Sequence, residues 1–202
     1  MYSEPPPPVR RRPLVAISGW LLFVCLFLPT LRVCSSPSAP IEFPPSYAVY
    51  FGAVAIAIGA MSASQRIRRR AHAVLLGLWF ATGAGILAGV FGSILGVSMG
   101  WTLATIGLGL TIMLIARLAR VSWSGRGVIG VWIAHALIAS AWNGMLAAET
   151  GALWGAYFAL VVSGTLLVAS AVALSSENAA RDDGGLGHMP ELPRAYARSR
   201  DR

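Results

Sequence analysis

Lysine is absent from this 202-residue chain, and acids are scarce, eight Asp and Glu standing against sixteen arginines. Charged residues make up 12% of the whole, where an ordinary soluble domain carries about 25%. A chain so poor in charge, with 56% hydrophobic residues, is not a soluble globule. Its few charges are bunched between long apolar runs, the pattern of a polytopic membrane protein. Cysteine is nearly missing as well. Cys25 and Cys34 are nine residues apart, which on one helix is ~13 Å, beyond disulfide reach. With no CxxC, no HExxH and no Cys/His cluster, a structural zinc site is excluded. No acid falls inside an apolar run: Glu42 and Glu149 flank such runs and the rest lie toward the termini. That disfavours transport driven by an ion gradient, which places acids or arginines within the spans.

What is present reads as six spans, at 14–31, 47–64, 71–91, 100–116, 127–148 and 152–174. The membrane domain they form runs over 14–175. Residues 1–13, with four consecutive prolines, form a disordered cytoplasmic arm, and 176–202 a disordered cytoplasmic tail. The arginine-flanked first run resembles a secretory signal peptide in outline, but its apolar core is longer than such cores, so an uncleaved anchor is expected. Residues 32–46 hold four prolines and are read as an extended outer connector, neither helix nor ladder strand. From Ala71 to Ala116 there is no charged residue. One helix of that length would reach ~69 Å, about twice a bilayer, so the chain must reverse, and Gly92–Gly100 with three glycines is the place. In the third span Gly77, Ala81, Gly85 and Gly89 form a small-residue ladder suited to close helix contact.

Orientation follows from arginine. Arg10, Arg11 and Arg12, then Arg66, Arg68, Arg69 and Arg70, then Arg117, Arg120 and Arg126 set the topology. With both termini inside, fifteen of the sixteen arginines are cytoplasmic and only Arg32 is outside, as the positive-inside rule requires. The same rule accounts for the net charge of +8 without a nucleic-acid partner. Tyr47, Tyr50, Trp101, Trp154 and Tyr157 are expected in the outer aromatic belt.

The candidate polar site inside the membrane is His135 with Asn143, Trp132 and Trp142, all on the fifth span. A titratable group in hydrocarbon is a functional hypothesis by default. Trp132, His135, Ala139 and Trp142 share one helix face, while Asn143 lies ~12 Å along the axis from His135, too far for a direct bond. Two readings stand. His135 is a neutral ring giving its N–H to a neighbour's backbone carbonyl or hydroxyl, or it is a polar step in a path for a proton or small solute. The sequence Gly96-Val97-Ser98-Met99-Gly100 has the form of a hydrolase nucleophile elbow, but Ser98 and His135 fall at different depths. His72 and His135 are likewise mismatched as axial ligands of a haem. No catalytic set, metal or cofactor is expected.

The resulting expectation is an all-α, six-span integral protein of a bacterial inner membrane, its abundant Ala, Gly and Arg fitting a GC-rich genome. Its partners are the lipid bilayer and another membrane protein or a second copy. It is expected to act as a non-enzymatic accessory or assembly component through its helix faces and the outer loop, where Cys34, Glu42 and Phe43 are the candidate contacts. The alternative is a small channel or permease for a neutral solute lined by His135 and Asn143, and a membrane-embedded enzyme is the third class.

Overall fold

The computed structural model describes residues 11–33, 36–42, 46–121 and 124–186. Arg10, Cys34 and Phe43 lie outside the described residues. Helix α1 (Pro13–Val24) has a proline in its first turn, where the missing N–H costs nothing, and tightens into a 3-10 turn at Cys25–Phe27. Two short strands, β1 (Leu31–Val33) and β2 (Ser36–Ser38), and a 3-10 turn at Pro40–Glu42 precede α2 (Ser46–Met61). Then come α3 (Gln65–Leu95), α4 (Val97–Leu118), α5 (Gly125–Ala148) and α6 (Trp154–Leu186).

The fold is all-α and built for lipid. Four helices, α3, α4, α5 and the Trp154–Ala179 part of α6, are long and apolar enough to cross a bilayer. Their large side chains face outward: Leu87, Ile94, Trp101, Leu108, Ile112, Met145 and Val161 are among many exposed ones, which only an apolar surrounding tolerates. The first two expected spans come out shorter. Pro13–Phe27 has 15 residues and Ser46–Met61 has 16, so each rises about 24 Å against a hydrocarbon thickness of about 30 Å. Pro29 is the cause in the first case: extended backbone begins at Leu28 and leads directly into β1.

Both ends of the bundle are tied together. At one end the Arg12 amide donates to Ala60 O (3.0 Å), Arg68 Nε donates to Gly59 O (3.3 Å), and Arg12 pairs with Glu177. The starts of α1 and α3 therefore meet the ends of α2 and α6. Helix α6 continues to Leu186, past the expected start of the tail at 176. At the other end the proline-rich connector is more ordered than its composition implied. β1 and β2 pair antiparallel, with Arg32 opposite Pro37. The second edge of β1 takes the α5–α6 turn: Arg32 N donates to Gly151 O and Leu153 N to Thr30 O, both at 2.8 Å. Prolines did not prevent a ladder because Pro37 sits on a short strand whose outer side has no partner strand among the described residues.

The reversal between the third and fourth helices is confined to one residue. Gly96, at φ 103°, is the only described glycine with positive φ, a conformation other residues rarely adopt. From it α3 and α4 run back to back. A Cβ at Gly100 would lie 3.0 Å from Gly92 Cα and 3.1 Å from Ala88 O, one at Gly107 would lie 2.8 Å from Ala84 Cβ, and one at Gly77 would strike Ile115. The packed stripe on α3 is thus Gly77, Ala84, Ala88 and Gly92. The expected ladder through Gly85 and Gly89 faces outward, where an added Cβ would meet nothing within 4 Å. Composition gave two overlapping glycine-alanine stripes, and spacing alone does not choose between them.

Candidate functional site

The buried face of α5 comprises Val128, Ile129, Trp132, His135, Ala136, Ala139 and Asn143. The helix is set in place by Ser124, whose side chain caps it by accepting from Gly127 N (3.1 Å). Ahead of this face lie α2 and the first half of α3, and the contacts form three layers.

The middle layer holds His135, which is 1% exposed. Trp79 of α3 donates its indole N–H to His135 Nδ1 at 3.0 Å, with the two rings edge to face. An indole nitrogen only donates, so Nδ1 is the acceptor and the neutral ring carries its proton on Nε2. The acceptor role of Nδ1 adds to the expectation, which concerned the N–H that the ring carries on Nε2. His135 Nε2 is buried with no close hydrogen-bond acceptor among the described residues, the backbone of Val49 on α2 being the ring's further polar neighbour. The ring fits because α2 offers a glycine opposite: a Cβ at Gly52 would lie 2.5 Å from His135 Cε1, 3.0 Å from Nδ1 and 2.8 Å from Leu75 Cδ1.

The layer below, toward the ion pair, holds His72 and Trp132. Their rings stack at 5.7 Å with planes 29° apart, and the Arg68 guanidinium lies 6.0 Å from the centre of the Trp132 ring. His72 Nδ1 is 2.8 Å from Arg68 O and Nε2 is 3.3 Å from Val128 O. Carbonyls only accept, so a neutral ring bonds one of them and an imidazolium bonds both. Gly59 differs from Gly52 above, since a Cβ there would lie in ordinary contact, 3.6 Å from Trp132 Cζ2 and 3.9 Å from His72 Cε1.

The layer above holds Asn143, fully buried. Tyr50 OH donates to its Oδ1 (2.8 Å), and its Nδ2 donates to Ala139 O (2.9 Å). Tyr50 is also fully buried, so it leaves the expected aromatic belt, while Tyr47, Trp101, Trp154 and Tyr157 are exposed. Trp142 is half-buried against the core, and its indole nitrogen has no hydrogen-bond partner among the described residues.

The four residues expected as one polar site are therefore distributed over successive layers, with α3 supplying the partners of His135 and Trp132 and α2 the partner of Asn143. The hydrogen-bond partners of His135 and Asn143 are different residues, Trp79 for the one and Tyr50 and Ala139 for the other. Three partners went unread in the sequence: Trp79, Tyr50 and His72 as a core residue. A signal existed for two of them, since His72 and Trp79 are seven residues apart and share a face of α3. Ser98 is exposed in the first turn of α4, far from the enclosed His135 in kind and setting. Among the described residues no group of three His, Cys, Asp or Glu is placed to hold a metal.

In the outer loop, Glu42 is exposed and accepts from Ala39 N (3.3 Å), closing its own 3-10 turn. The expected arginines divide into two sets. Arg12 and Arg68 are engaged within the bundle end, whereas Arg11, Arg66, Arg70, Arg117, Arg120 and Arg126 are exposed and Arg69 is half-exposed. Comparison with family models, with curated proteins and with solved structures finds no match to this chain.

Proposed function

We propose that this is a six-crossing protein of a bacterial cytoplasmic membrane, both termini inside, acting as a non-enzymatic component that docks another membrane protein. Alternation supports the crossing number. The starts of α1, α3 and α5 and the ends of α2 and α6 are joined at the arginine-rich end by the Arg12, Arg68, His72 and Glu177 contacts. The two short helices then cross in company with longer ones, the deficit of about 6 Å being met by local thinning of the bilayer. Arginine at that end sets it toward the cytoplasm.

The observation that carries the docking role is the position of α4 at the edge of the described bundle, held by α3 alone. Helix α4 packs on α3 and makes no comparable contact with any other helix. Trp101, Ile106, Leu108, Leu110, Ile112 and Met113 are all exposed along it. A helix held on one side only is a surface for a partner helix. Affinity purification in a gentle detergent should recover a second membrane protein in stoichiometric amount, and Leu108→Ala with Ile112→Ala should release it. Recovery of a lone monomer would overturn the reading.

The conduit alternative places His135 and Asn143 along a solute path. Their complete enclosure, with Trp79 and Tyr50 bonded across the core, favours a role in packing over one in permeation. Reconstituted vesicles separate the two: a flux altered by His135→Ala and Asn143→Ala would restore the conduit.

A further inference from the structure

The outer ends of the helices are not level, and two sets of contacts measure the step. Gly59 of α2, His72 of α3 and Val128 of α5 meet at one height, and Gly52, Trp79 and His135 meet at a second. On each helix the two positions are seven residues apart, ~10 Å at helical rise, so the three axes are nearly aligned and heights can be compared. From the lower height α5 climbs ~30 Å to Ala148, a full hydrocarbon thickness, whereas α2 reaches Ser46 after only ~20 Å. Helix α1 keeps company with α2: its Arg12 amide bonds Ala60 O below, and its last helical turn ends at Phe27 above. The shortfall of ~10 Å therefore lies at the outer end, on the α1–α2 side. The rim of this step is polar. Backbone turns extended at Leu28 and rises through β1 to Gly151, and Ser36, Pro37 and Glu42 are exposed. Tyr47 OH donates to Ile41 O (2.9 Å), which holds Glu42 close above the first turn of α2. Hydrocarbon tolerates neither an exposed carboxylate nor irregular backbone on its lipid side. Just beneath, Trp20, Phe23, Phe27, Phe51 and Tyr47 form a linked run of ring contacts, centres 5.6–6.2 Å apart. Trp20, Phe27, Phe51 and Tyr47 are exposed. A polar rim over aromatic rings is the order of groups at a membrane interface, set here ~10 Å below the outer end of α5.

We propose that the α1–α2 face is a notch that draws the outer leaflet inward, with phospholipid head groups settling on the connector and Tyr47 and shortened acyl chains covering Phe27, Phe51 and Trp20. This rests on the crossing of α1 and α2 proposed above, and it confines the thinning to one leaflet and one side of the bundle. Phospholipid suits the notch better than a partner helix. Exposed Glu42 and the strand backbone need water and head groups beside them, while the rings below need hydrocarbon. A face shorter than the bilayer is met in this way at modest cost per ångström. The notch lies on α1 and α2, apart from the partner surface on α4.

Two spin labels at equal height test it, attached to Phe51→Cys on α2 and Leu137→Cys on α5 in full-length protein lacking Cys25 and Cys34. Both native side chains are exposed, and they stand ~12 and ~14 Å above the lower contact level. In dioleoyl-phosphatidylcholine vesicles, collision with oxygen and with a water-soluble nickel chelate reads the depth of each label. The label at Phe51 should be shallower than that at Leu137 by about 6–10 Å. In phosphatidylcholine with chains of about 14 carbons, a bilayer already close to the length of α1 and α2, the difference should shrink to below about 3 Å. Trp20→Cys stands at the same height on α1 and gives a second reading if the Phe51 variant does not fold. Equal depths in the dioleoyl vesicles would overturn the notch and leave the six crossings standing. A Phe51 label that meets the nickel chelate as freely as in water would overturn both.

Discussion

Replacing Gly52 by alanine tests the core arrangement most sharply. The added Cβ would sit 2.5 Å from His135 Cε1 and 2.8 Å from Leu75 Cδ1, where relaxed carbon contacts are about 3.5–4.0 Å. Both neighbours must therefore move by about 1 Å. Neither has free space: His135 and Leu75 are each 1% exposed. Overpacking of this kind costs about 1–3 kcal/mol, against which alanine regains about 0.5–1 kcal/mol of helix propensity. The overlap wins, and the expected net loss is about 1–2 kcal/mol. Gly85→Ala supplies the contrast, since its Cβ meets nothing within 4 Å, and it should be neutral or gain about 0.5 kcal/mol. Unfolding of the detergent-solubilised protein, followed by tryptophan fluorescence, reads both. Combining Gly52→Ala with His135→Ala should recover part of the loss, because the ring that is struck is gone. If Gly52→Ala is as stable as Gly85→Ala, the packing of α2 against α5 described above is wrong.

Nitrogen NMR of ring-labelled protein should find His135 as the Nε2–H tautomer at neutral pH, since Trp79 donates to Nδ1, and an Nδ1–H signal would contradict that bond. Tyr50→Phe removes the donor to Asn143 Oδ1 and should cost about 0.6–1.7 kcal/mol in an unfolding titration. Glu177→Gln breaks the pair with Arg12. The Glu177 side chain is 37% exposed, so the stability change should stay below about 1 kcal/mol, while amide exchange should quicken in the last turns of α6 and not in α5. Gly96→Ala forces a Cβ into φ 103°, and should cost about 1 kcal/mol or more, with the loss confined to the α3–α4 hairpin.

Legibility in the sequence divided along physical lines. The apolar runs of α3 to α6 gave themselves away, because twenty-odd residues without charge have few alternatives in water or lipid. The chain reversal was legible from glycine spacing, though not its confinement to Gly96. The length of α1 was not legible: hydropathy continues past Phe27, but Pro29 and backbone pairing at Thr30 end the helix earlier, whereas α2 stops at Met61 where the polar run Ser62 to Gln65 begins. The hairpin in the proline-rich loop was missed because its second partner, Gly151 to Leu153, is more than a hundred residues away. Within the site, the inward face of α5 could be read from period alone, His135 and Asn143 included. Their partners could not, since Trp79 and Tyr50 come from other helices and a single sequence holds no record of which faces meet. Tyr50 shows the limit well, having every mark of an interfacial tyrosine and lying wholly inside.

The account rests on six crossings with the arginine clusters on one side, and cysteine labelling in intact cells tests that directly. In a background without Cys25 and Cys34, single cysteines at Ser64, Val121 and Ala179 should be shielded from a membrane-impermeant maleimide until the cells are opened. Cysteines at Ser36 and Thr150 should react at once. Labelling of Ser64 from outside, or protection of Ser36 while Thr150 reacts, would mean that α1 and α2 do not cross and would contradict the account.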